Sequence, residues 1–117
     1  MSETLRIMDI IKGPLCVASE DGQLVYDAIF LPLQRGETIE LSFQGIEIII
    51  SAFLNTAIGQ LYDGSIPEAN IKRQLKISGL NPNDLALLER VVENAKRYFA
   101  NRAGYDHAWK EVVENGK

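Results

Sequence analysis

The sequence predicts an α/β fold: a mostly parallel or mixed four-stranded sheet with helices packed on it, and a short helix at the C-terminus. Three observations carry that expectation. Apolar runs of strand length alternate along the chain with longer stretches whose apolar residues recur every three or four positions. Turn residues separate the two kinds of segment, as at Gly13-Pro14, Arg35-Gly36, Asp63-Gly64 and Ser78-Gly79. Strands separated by helix-length segments need crossover connections, which favour parallel pairing.

The elements follow in order. Leu5 to Ile11 reads as a first strand, with apolar residues at alternate positions 5 and 7, broken by Lys12-Gly13-Pro14. Leu15-Cys16-Val17-Ala18 returns as a short partner strand. Ser19-Glu20-Asp21-Gly22 has two readings: an Asp-Gly hairpin, or a helix capped by Ser19 with two acids in its first turn. The helical spacing of Leu24, Val25, Ala28, Ile29 and Pro32 favours the helix, which Arg35-Gly36 stops. Glu37 to Phe43 alternates polar and apolar residues as a strand does.

Ser51 then opens a second helix, with Leu54, Ala57, Ile58 and Leu61 facing the core. Gly59 within it costs about 1 kcal/mol relative to alanine, and its expected use is close approach to the sheet. Pro67 to Asn70 forms a helical turn, and Gln74 to Ile77 a strand closed by Ser78-Gly79. Asn81-Pro82-Asn83-Asp84 is a helix opening with Asn81 as cap. Its apolar stripe runs Leu85, Leu88, Val91, Val92, Ala95, Tyr98, Phe99 until Gly104 stops it. Asp106 caps a last short helix with Ala108, Trp109, Val112 and Val113. Residues 1–104 are thus expected to form the domain and 105–117 a C-terminal helical extension, either packed back on the sheet or meeting a second chain.

Composition narrows the function. A chain of 117 residues with 46% apolar and 24% charged residues suits one domain around one core. Its longest apolar runs are too short to cross a bilayer, and its start lacks the pattern of a signal peptide. Cys16 is the only cysteine, so no intrachain disulfide forms and a reducing cytoplasm is the expected compartment. The net charge of −4 is uneven: residues 1–50 hold three bases against eight acids. That acidic half repels phosphate backbones, so nucleic acid is not an expected partner; Lys72, Arg73 and Lys76 read as a solvated face.

Chemistry-bearing sets are missing from the pattern. His107 is the single histidine, with nothing in its spacing to build a triad with Ser51 or Cys16. One cysteine and one histidine make no zinc site, and the glycines stand isolated rather than in a phosphate loop. The expectation is a protein without catalytic residues, metal or cofactor.

The junction from Ile39 through Gly45 to Ser51 places a hydroxyl and unpaired backbone N–H groups at one exposed edge, suited to docking or phosphate handling. As a cap, Ser51 would contribute about 1 kcal/mol; modification or partner contact is the other reading. Asn55, Thr56 and Gln60 lie on the polar side of the same helix as further contact candidates.

Ser42-Phe43, Gly45, Ser51-Ala52-Phe53-Leu54 and Ala57-Ile58-Gly59 resemble the STAS-like family, over roughly residues 5 to 100. STAS domains are the sulfate-transporter and anti-sigma-factor-antagonist domains, and the resemblance is to a bacterial STAS-like branch of unknown function. It implies a noncatalytic regulatory module that binds a kinase-like or ATP-binding protein through the start of the second helix. In antagonists of this type, phosphorylation at that start is the switch. Aligned on Leu54, the acceptor position here is Ala52 and Ile50 stands where the family has an acid, so the switch would need Ser51 or Thr56; otherwise the expectation is constitutive binding or a different regulator. Two other functions stay open: a nucleotide or small-anion sensor using the helix N-terminus, and a self-associating structural subunit, such as a homodimer.

Overall fold

A computed structural model of the chain describes residues 2–109. Its main sheet has three parallel strands in the order β1 (Ser2–Arg6), β3 (Thr38–Ser42), β5 (Leu75–Ser78). Two further strands, β2 (Leu15–Cys16) and β4 (Ile48–Ile49), pair in parallel as a separate two-stranded sheet. The helices are α1 (Ile7–Ile11), α2 (Ser19–Gln34), α3 (Ser51–Ala57), α4 (Glu68–Gln74) and α5 (Pro82–Trp109), with a 3-10 turn at Gly59–Tyr62.

The expected four-stranded sheet is therefore not formed. Leu15–Cys16 is a strand, but its partner is Ile48–Ile49, inside a run of isoleucines whose role in pairing the sequence does not reveal. The first strand also ends sooner than expected. Ile7, Ile10 and Ile11 have helical spacing and form a single turn, ended by Lys12 in the left-handed region at φ 63°.

Register explains how the main sheet meets the core. Leu5, Leu41 and Ile77 form one cross-strand row and Ile39 and Leu75 another, all on the face that the helices cover. Thr4, Glu40 and Lys76 form a row on the opposite face and are all exposed. The core lies on one side only. It gathers Ile7, Val25, Ile29, Ile39, Leu41, Phe43, Phe53, Leu54 and Leu61, each contributing about 1.5–3 kcal/mol by burial.

Helix ends follow local chemistry in part. Gly36 adopts φ 86° just after α2, a left-handed conformation that ends the helix as expected. Asn81 caps α5: its Oδ1 accepts the Asp84 N–H at 2.7 Å. Ser19 and Ser51 are instead the first helical residues, behind Ala18 and Ile50, and neither helix has a side-chain cap bond. The second helix of the sequence reading is also shorter, giving way to the 3-10 turn after Ala57. Gly59 approaches α5 rather than the sheet, with Val91 and Ala95 nearest to it. Gly104 does not stop α5, which continues to Trp109; one glycine in a helix costs only about 1 kcal/mol. Within the stripe expected of that helix, Leu88 and Val91 are buried while Leu85 and Tyr98 are exposed. The separate last helix expected from Asp106 is therefore not formed as far as Trp109, since Asp106, Ala108 and Trp109 belong to this one continuous helix; Val112 and Val113 lie outside the described residues.

Two contacts fix the layers. α2 packs chiefly on α3, and they meet at Gly22. A methyl group there would lie 2.7 Å from the Phe53 carbonyl oxygen and 3.0 Å from Thr56 Cβ. Gln74, buried at the end of α4, donates from Nε2 to the Leu33 carbonyl at 3.2 Å and the Glu37 carbonyl at 2.9 Å. It thereby ties α4 to the turn between α2 and β3.

Gly22→Ala is expected to cost about 1–3 kcal/mol through overpacking, read from urea unfolding. Gly13→Ala, where an added methyl meets nothing within 4 Å, is the control and should leave the midpoint nearly unchanged. Gln74→Leu forfeits both carbonyl bonds and should lower stability by about 1–3 kcal/mol in the same assay.

Candidate functional site

The small sheet builds an unusual surface. In its parallel register Leu15 sits opposite Ile48 and Cys16 opposite Ile49. Alternation sends Cys16 and Ile49 toward the core and Leu15 and Ile48 outward. Ile50 keeps extended backbone (φ −115°, ψ 160°), and its N–H donates to the Cys16 carbonyl at 3.0 Å. Val17 and Ile50, two residues further along, therefore share the outward face. Exposure of the four is 44% for Leu15, 43% for Val17, 50% for Ile48 and 39% for Ile50. Strands about 4.8 Å apart, with same-face residues about 6.6 Å apart, make these four side chains one contiguous apolar patch.

That patch runs directly into α3, because Ile50 is its N-cap residue. Phe53, Leu54 and Ala57 anchor α3 in the core, while Ser51, Ala52 and Asn55 are exposed. The helix carries no charged residue.

The four residues expected from sequence divide between two places. Ser51 adjoins the apolar patch, and its hydroxyl makes no hydrogen bond among the described residues. Asn55 and Gln60 line a groove of about 280 Å3 with Gly59, Asn94, Ala95, Tyr98 and Phe99, between α3 and α5. Gln60 is also engaged structurally, its Nε2 donating to the Thr56 carbonyl at 2.8 Å and to Gln23 Oε1 at 3.1 Å. Thr56 is half-buried beside Gly22 of α2, its hydroxyl donating back to the Ala52 carbonyl of its own helix at 3.3 Å. Sequence reasoning missed Leu15, Val17, Ile48 and Ile50. No alternation marks them, because an isoleucine run with apolar residues on both faces looks buried on both.

Electrostatics argue against a reactive thiol. Burial first, then Asp21 and Asp84, pushes Cys16 from 9.0 up to about 12, so at neutral pH it is a protonated packing group. Among the described residues no group of three His, Cys, Asp or Glu side chains could hold a metal ion. No helix among them is long and apolar enough to cross a membrane.

The Cys16 shift has a sign. Its folded pKa exceeds the unfolded value, so its contribution is complete below pH 9 and is lost as pH rises toward about 12. Wild-type stability should fall between pH 9 and 10, and Cys16→Ala, though less stable at pH 7, should show a flatter profile there in urea titrations.

A family model described as a STAS-like domain of unknown function matches residues 21–85, more than half of the chain. No curated protein and no solved structure matches it.

Proposed function

The chain belongs to the family of STAS-like domains of unknown function, and from that premise we propose that it is a noncatalytic regulatory module that binds a protein partner through the N-terminal edge of α3. The carrying observation is the exposed apolar patch of Leu15, Val17, Ile48 and Ile50 beside Ser51. Four aliphatic side chains left in water next to an uncharged helix face are suited to the centre of a protein interface. The partner class, a kinase-like or ATP-binding regulator, comes from the family analogy alone.

Regulation fits the same edge. A phosphate on exposed Ser51 would bring nearly two negative charges next to the apolar patch, where a docked partner would have to desolvate them. Ala52, at the position where antagonists of this type are modified, has no hydroxyl, so Ser51 is the residue that could carry the switch. The sensor reading draws less support, because α3 has only seven residues and so a short dipole.

Partner recovery from an extract of the native cell tests the reading. Ile48→Asp, Ser51→Glu and Asn55→Arg should each reduce recovery, Ile48→Asp by about thirty-fold or more because it puts a charge in the apolar contact, with urea midpoints confirming that each variant folds. Unchanged recovery with all three would remove this edge as the binding face.

A further inference from the structure

Resting on that reading, we infer the chemistry of the partner: a protein surface with an apolar centre and a lysine- or arginine-bearing rim, rather than a second copy of this chain. The charges bordering the patch are unequal. Glu47 directly precedes Ile48, and Glu20 and Asp21 follow Val17 within one helical turn. Glu47 and Glu20 are exposed and Asp21 is half-buried. Among the described residues none of the three enters an ion pair. Lys12, three residues before Leu15, is the one base in the flanking segments.

Two copies stacked patch to patch would bring these acids against one another. The apolar gain from four half-exposed side chains would then be set against like-charge repulsion at the rim. The four side chains are also too few to form the roughly 800 Å2 per partner of a standard interface, so the surrounding charged rim must be part of any contact. An occupant bearing basic side chains turns the same rim from repulsive to steering. Opposite charges there raise the association rate and make it fall with salt.

A synthetic amphipathic helical peptide, leucines on one face and lysines flanking them, is the probe, with a glutamate-flanked peptide as its counterpart. Fluorescence anisotropy with the full chain should show the lysine peptide bound more tightly, with affinity falling as salt rises. Ile48→Asp should weaken it about thirty-fold or more, and Glu20→Lys with Glu47→Lys about five-fold. Glu3→Lys with Glu93→Lys makes the same change in net charge away from the patch and should have little effect. Glu3 pairs with Ile39 at the start of the sheet, beyond the far end of α2, and Glu93 sits in the middle of α5.

Equal binding of the two peptides, equal loss from either pair of reversals, or no binding at millimolar peptide overturns the inferred chemistry. A dimer seen in sedimentation and abolished by Ile48→Asp overturns it in favour of a second copy. Partner recovery with Ile48→Asp decides separately whether the face binds at all, so the two readings can fail independently.

Discussion

The close crossing of α2 and α3 at Gly22 is the constraint on which the rest of the structure depends. With only seven residues, α3 is far too short to be stable alone. It persists because Phe53, Leu54 and Ala57 are buried beneath α2, and that burial requires the two backbones to approach more closely than a side chain at position 22 would permit. Once α3 is held, the extended residues before it are held too. Ile48 to Ile50 lie against Leu15 and Cys16, and the apolar patch follows from that pairing. A glycine inside α2 thus determines where Ser51 and its neighbours face.

The one-sided core imposes a second constraint. All-parallel sheets are normally covered on both faces, yet here the row Thr4, Glu40, Lys76 is open to water. The chain meets this with polar residues on that face and by placing its helices on the other. Gln74 closes the covered side where α4, α2 and β3 meet, using a buried amide to satisfy carbonyls that the turn leaves available. Lys96 and Glu68, 2.8 Å apart, join α5 to α4 at the surface, where such a pair contributes little.

The strength of each local signal decided what the sequence revealed. The limits of α2, the start of α5 and the parallel relation of β3 and β5 were legible, because a long helical stripe, an Asn-Pro cap and helical crossovers are strong patterns. β4 was not, being two residues long within a continuous apolar run where periodicity carries no information. The turn Ile7–Ile11 is masked in the sequence because Leu5 and Ile7 alternate as a strand does, and the helical spacing of Ile7, Ile10 and Ile11 covers only one turn. At the site, the exposure of Ser51 and Asn55 was legible from helical phase. Two things were not: the half-burial of Thr56 beside Gly22, and the exposure of the four aliphatic side chains, which depends on which segment pairs with Leu15–Cys16 and so on contacts far apart in the chain. Gln74 likewise has no local signature, since a glutamine between lysine-rich neighbours looks like surface.

Cys16 lies on the reverse side of the same two strands that display Leu15 and Ile48, with its sulfur shut away from solvent. A thiol-directed label can reach it only during moments when this ribbon parts from the layer below. Its tagging rate therefore works as a stopwatch built into the molecule, counting those openings without any introduced probe. Whatever clamps the outer side of the ribbon will slow that stopwatch, even though it never touches the sulfur.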